Sequence, residues 1–329
     1  MATSLFLATT IGLFIATQNN GHWTVIGQAL NDQPLTSLAT SGEVILAGST
    51  EGIWRSTDKG KTWLAASAGL EIPYVRWLAA SSSPQGLALA GTEPAGVFVS
   101  TDAGRSWNFD PGILKLRDAN GWFLPYSPRA GCVRGFAVAE SGPNKGRIYA
   151  AVEVGGVLIT DDNGRSWQLA AGSDGKPDMN RDLGKMVHPD VHSITVHPSS
   201  ADIVTAATGG GLFRSPDGGR SWKNIYPCYI RSIWVDPGDH QHLVAGPADG
   251  VSRNGRIEES RDGGRSWRPA FDGMNAPWVR HMVERFVQVD EELFAVLANG
   301  ELWAKKLSGS KWGRVLPELT QIKAVAANR

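Results

Sequence analysis

The chain has only 2 cysteines in 329 residues, Cys132 and Cys228. Two thiols make no disulfide framework, and no C-x-x-C pair offers a zinc or redox site. Net charge is also missing, since 32 Lys and Arg balance 32 Asp and Glu. No global basic field exists to gather nucleic acid or an anionic membrane, so neither is an expected partner. No hydrophobic run approaches a membrane span. The N-terminal stretch MATSLFLATTIGLFIAT is apolar, but it has no basic n-region and is interrupted by Gly12 and several threonines, unlike a secretory signal. No cofactor is expected.

What the chain has is a repeated phrase, S/T-x-D-x-G-x-S/T-W. It occurs at Ser56–Trp63, Ser100–Trp107, Thr160–Trp167, Ser215–Trp222 and Ser260–Trp267, with worn copies ending at Trp23 and Trp312. The tryptophans are spaced by 40, 44, 60, 55, 45 and 45 residues. Each phrase follows two short β-type runs and precedes a polar connection to another, so the unit is four strands. Seven such units predict an all-β fold, a seven-bladed β-propeller of four-stranded antiparallel blades spanning 1–329 as one domain. The phrase resembles the Asp-box, or BNR repeat, of sialidases, sortilin-type receptors, xyloglucan-cleaving hydrolases and photosystem II assembly-factor propellers. That resemblance implies the fold and leaves the function open.

The phrase itself reads as structure. Asp and Ser/Thr bond backbone groups across a tight turn, Gly permits positive φ, and Trp buries apolar area. At the ends, SLFLAT and GLFIAT lack a preceding strand, while IKAVAA follows Trp312 as an orphan. Together they complete one blade and close the ring. Residues 4 to 17 are then strands, which argues against a cleaved signal and for a cytoplasmic location.

With the strands of a blade called A (innermost) to D, the C–D turns carrying the phrase lie on one face and the starts of the A strands on the other. The second residues of the A strands, which start near 36, 76, 134, 192, 231, 280 and 323, are Thr36, Arg76, Arg134, His192, Arg231, Arg280 and Lys323. Five of these seven are permanent cations in a protein only 19% charged. Like charges around one mouth repel, so the pattern points to partners or to an anion held by guanidinium forks. The B–C hairpins on this face hold Glu51, Glu93 and Glu153, as partners of the arginines or, for Glu93 and Glu153, as proton-transfer groups.

Two long D–A connections overhang the same face, one with Trp122, Phe123, Tyr126 and Arg129, the other with Asp174, Asp178, Asp182 and His188. Both are candidate lids or plain insertions. His188, His192 and His197 cannot share one metal ion, because His197 falls at the far end of its strand, and no metal is expected. Tyr226 and Tyr229 stand just before Arg231. Sialidases pair such a tyrosine with a glutamate beside an arginine triad. They have six blades and an F/Y-R-I-P motif, however, and this chain has neither, so classical sialidase activity is not expected.

Two functions remain open. In the first, Arg76, Arg134, Arg231, Arg280, Lys323 and Glu51 hold an anionic small ligand (carboxylate, phosphate or sulfate), and His192, Tyr229, Glu93 or Glu153 moves protons in hydrolysis or β-elimination of an acidic sugar or organic acid. In the second, the basic ring docks a carboxylate-bearing peptide of a partner protein. Resemblance to the assembly-factor propellers, which carry an arginine patch on one face, implies this second function.

Overall fold

A computed structural model describes residues 3–81, 85–124, 130–142 and 144–328. Seven four-stranded antiparallel sheets follow one another around a ring. The A strands are Leu35–Ser41, Val75–Ala80, Val133–Val138, Val191–His197, Tyr229–Asp236, Val283–Val289 and Ile322–Asn328, each packed beside the next. The last pairs with Ser4–Thr9, from Ser4 opposite Asn328 to Thr9 opposite Ile322. This closure ties the two ends of the described chain into one blade, and the edges that remain are the short outer strands of the blades. Residues 4 to 19 form the second and third strands of the closing blade. No helix among the described residues is long and apolar enough to cross a membrane.

The core lies between blades. The middle strands are mostly buried, and Ala88–Thr92, Ile148–Val152 and Gly156–Thr160 are so along their whole length, because both faces meet a neighbouring sheet. Outermost strands shrink to two residues in four blades, such as the exposed pair Leu64–Ala65. Small residues set the blade spacing. A Cβ on Gly48, Gly91 or Gly246 would come within 2.7 Å of Val75, Val133 or Val283, the valine opening the next A strand.

The repeated phrase closes the C–D turn as its residue types require. In the second copy Ser100 Oγ donates to Asp102 Oδ1 at 2.7 Å and accepts from Gly104 N at 2.8 Å, while Asp102 accepts from Ser106 N at 3.0 Å and Ser106 Oγ at 2.7 Å. Copies at Ser56, Thr160, Ser215 and Ser260 repeat the pattern. The hydroxyls of Thr62 and Ser266, with backbone N–H groups, hold Asp58 and Asp262 at about 2. At Asp102 and Asp162 burial is the largest single effect and raises the carboxyl, but the hydroxyls of Ser106 and Ser100, or Ser166 and Thr160, together with backbone N–H groups outweigh it and bring both to about 2.

A carboxyl depressed by folding stabilises the fold above its ordinary value of about 3.9, and that contribution is lost as pH falls through the folded value. The melting temperature should therefore drop between about pH 4 and pH 2. The double variant Asp102→Asn, Asp162→Asn should show a shallower drop from a lower starting point.

The first long connection contains one element that the all-β expectation lacks, a helix over Pro111–Asn120. Its signals are local. Asp110 caps the first turn by accepting from Gly112 N, Pro111 opens the helix, and Gly121 ends it at φ 64°. The connection is anchored rather than loose: Trp122 is fully buried and donates through Nε1 to the Gly175 carbonyl of the second connection, at 2.7 Å. Phe123 is exposed, and Tyr126 and Arg129 lie outside the described residues. In the second connection Asp174 pairs with Arg181, and Asp178 and Asp182 accept from the backbone N–H of Asn180 and Gly184.

Candidate functional site

Six of the seven A strands carry a bulge at their second residue, and the fifth carries one a residue further on. Leu35 opposes Ser49 and Ser37 opposes Gly48, so Thr36 is left out of the ladder. Arg76, Arg134, His192, Glu284 and Lys323 are skipped in the same way, and in the fifth blade the shift falls between Ile230 and Ile233, across Arg231. A bulged residue is freed from the alternation of the strand and can be re-aimed. All seven side chains line one cavity of about 390 Å³ at the axis.

One member of this ring differs from the expected set. Arg280 lies exposed in a turn, and Glu284 takes its place. VRHM at 279 and VERF at 283 both fit the strand-opening pattern, four residues apart. Burial chooses between them: Val283 is fully buried and Val279 is 73% exposed. Glu51 is also displaced. Glu93 and Glu153 directly follow the last residue of their B strands, Thr92 and Val152, whereas in the first blade that place belongs to Thr50. Thr50 lines the cavity, while Glu51 is exposed and does not. A slip of one residue turns a side chain the other way.

The carboxylates are largely committed to arginines. Arg76 Nε lies 3.3 Å from Glu93 and Arg134 lies 3.2 Å from Glu153. Glu284 pairs with Arg231 and, at 3.4 Å, with Arg134, tying the third, fifth and sixth blades across the axis. Burial alone would raise the Glu153 and Glu284 carboxyls. Arg134 for the first, and Arg231 with Arg134 for the second, override it and hold both below the usual range. At Glu93 burial prevails over Arg76 and the carboxyl is raised, with its Oε1 lacking a hydrogen-bond partner. Neither Glu93 nor Glu153 lines the cavity; they stand behind the arginines.

The remaining candidates form a layer at one wall. His192 is buried, its Nδ1 2.9 Å from the Ile230 carbonyl and its Nε2 3.1 Å from Asp190. The Tyr229 hydroxyl accepts from Arg231 Nε at 3.2 Å, lies 3.5 Å from His192 Nε2, and is pushed up to about 12 by burial. Cys132 donates to Glu153 at 2.9 Å, and burial pushes its thiol up. His197 caps the far end of its strand, 3.1 Å from the Asp236 carbonyl. Tyr226 turns away, paired with Glu258 and stacked on Trp267. Lys323 reaches the mouth and is exposed.

Arg285 was not among the expected residues. It follows the bulge of its strand, lines the cavity, and lies with its guanidinium carbon 3.8 Å over the Trp77 ring. Its hydrogen bonds go to the carbonyls of Thr36 at 3.1 Å and Arg76 at 3.4 Å. Among the described residues no carboxylate lies within ion-pair distance of it. Burial, with Arg134 and Arg76 nearby, pushes this guanidinium down to about 9. It stays charged at neutral pH, and the shift records a half-buried charge that the Glu284 carboxylate compensates only in part.

The fold and this bulged inner ring define a seven-bladed propeller with a charged central funnel. No protein-family model matches the chain, and no curated protein does. Solved structures do. An ancestral GH74 enzyme aligns over 85% of this chain and 38% of its own, at 17% identity and a TM-score of 0.64. YCF48 bound to a D1 peptide aligns over 92% and 85%, at 15% identity and a TM-score of 0.58. YCF48 from Cyanidioschyzon merolae aligns over 89% and 92%, at 14% identity and a TM-score of 0.55. The chain thus spans less than half of that GH74 enzyme, and at these identities the likeness is one of fold.

Proposed function

We propose that the funnel binds the anionic group, a carboxylate above all, of a ligand that enters from the bulged face. The observation that carries this reading is Arg285, a guanidinium at the cavity wall with no carboxylate partner among the described residues. Leaving a buried charge unpaired is costly, and an incoming carboxylate supplies the missing partner through paired N–H donors. Lys323 at the mouth adds a second cation, and the volume of about 390 Å³ suits a small acid or the end of a chain.

The site supports binding better than hydrolysis. Among the described residues Glu284 is the one carboxylate lining the cavity, and two arginines hold it ionised, so a pair of free carboxyls for acid and base work is missing. His192 and Tyr229 remain candidates for proton transfer on a bound anion.

A second reading places the carboxylate on a polypeptide of a partner protein. It is favoured by the exposed apolar residues Ile11, Phe123, Met186, Val251 and Val279, all on B–C or D–A connections of the bulged face. A dipolar small molecule has no use for them, whereas a peptide with apolar residues next to its acidic end does. YCF48, a propeller of similar fold, is known in a structure bound to a D1 peptide.

Thermal unfolding in the presence of organic acids, acidic sugars, phosphate and sulfate tests the small-ligand reading. A saturating ligand at 100 times its Kd should stabilise the fold by about 2.7 kcal/mol. An unchanged melting temperature with every anion would remove the small-ligand form and leave the polypeptide form.

A further inference from the structure

His192 is one of the seven bulged side chains, yet its ring is closed off from solvent, with 0% side-chain exposure. Its two nitrogens are not equivalent. The Ile230 carbonyl, 2.9 Å from Nδ1, can only accept, so Nδ1 carries the proton of the neutral ring. Nε2 is then a bare lone pair. Facing it at 3.1 Å is Asp190 Oδ1, itself shielded from solvent and without a hydrogen-bond partner. The Tyr229 hydroxyl, at 3.5 Å, is too far to satisfy Nε2 well. Two lone pairs at this separation repel each other unless a cation sits between them. A ligand atom of the Glu153 carboxylate lies within 4.8 Å of both.

We infer that Asp190, His192 and Glu153 form a binding site for a divalent ion of the zinc or manganese kind, set in the wall of the funnel. One imidazole and two carboxylates make a donor set for borderline to hard divalent ions and a poor one for soft ions such as Cu(I). Ligand atoms on an ion with bonds of about 2.1 Å lie roughly 3.0 to 3.4 Å apart, and the His192 to Asp190 distance falls in that range. The outer contacts are also of the right kind. The carbonyl on Nδ1 fixes the tautomer and aims Nε2, as it does for most metal-bound histidines. Arg134 and Cys132 hold Glu153 from two sides.

Asp190 and Glu153 between them match the charge of a divalent ion, and Arg134 keeps Glu284 as a partner. The positive neighbours lower the affinity for the ion, and an anion in the funnel raises it. The proposal stands apart from the anion reading, because binding of the ion is measured without any anionic ligand.

The test is calorimetric titration of the chelator-treated protein with Zn²⁺ and with Mn²⁺ in a buffer without carboxylate or phosphate. The expected result is one saturable equivalent, weakened at least about tenfold by His192→Gln and by Asp190→Asn and retained in Arg285→Met. Pulsed electron paramagnetic resonance of the Mn²⁺-loaded wild type gives a readout that does not depend on the variants folding: an imidazole nitrogen coupled to the ion is expected. No saturable uptake of either ion would overturn the site and assign the gap between Nε2 and Oδ1 to a proton. Uptake without nitrogen coupling would overturn it as well.

Discussion

Glu284→Gln should destabilise the protein by about 3 to 5 kcal/mol, the cost of removing one member from a buried ion-pair network. Glu284 is the single carboxylate between Arg134 and Arg231, and it joins strands 150 and 53 residues away in sequence. Without its charge two guanidiniums confront each other in a confined space, with Glu153 left to serve Arg134 alone. Glutamine keeps the volume and can accept a hydrogen bond, so the loss measures charge rather than packing. A fall in melting temperature of about 4 to 7 °C is expected, while the exposed Glu318→Gln should move stability by less than about 0.5 kcal/mol. Equal, small effects in both variants would mean that Arg134 and Arg231 are held in the funnel by other means.

Arg285→Met should behave in the opposite way. Methionine has a similar length, can lie on the Trp77 ring, and removes a buried charge that has only two carbonyls and an aromatic face for company. Replacing a poorly compensated buried ion by an apolar group is often neutral or stabilising, so the melting temperature without ligand should hold or rise. Ligand-induced stabilisation should vanish, with affinity for the carboxylate falling about 30-fold or more, as expected for loss of a charge-assisted hydrogen bond worth roughly 2 to 3 kcal/mol. A stable variant that no longer binds separates a functional arginine from a structural one. Lost stability with intact binding would make Arg285 a strut.

Much of this was legible in the sequence because it is local and repeated. The phrase from Ser100 to Trp107 closes its own turn, so blade number and the closing strand Ile322–Asn328 follow from counting. The inward cations Arg76, Arg134, Arg231 and Lys323, with His192, follow from their place after the first apolar residue of each A strand. That rule fails at Arg280, where two similar tetrads lie in tandem and only burial of Val283 chooses the frame. It fails at Glu51, where a hairpin one residue out of step offers Thr50 instead. The helix Pro111–Asn120 has its cap residues Asp110, Pro111 and Gly121 in the sequence, but it lies in a connection outside the repeated strand pattern. Partnerships across the axis, such as Glu284 with Arg134, and the company of His192 and Asp190, depend on ring closure and leave no trace in any short window.

The measurement that bears most directly on the funnel compares one short peptide in two forms, ending in a free carboxylate and in an amide, by calorimetric titration against the wild-type protein. The peptide should carry apolar residues next to its end, to meet exposed apolar residues of the bulged face such as Phe123 and Val279. The free acid should bind with one site per chain and the amide at least about tenfold more weakly, since the amide offers Arg285 no negative charge. Equal binding of the two forms, or binding of neither together with no response to any small anion, would contradict a carboxylate-reading funnel.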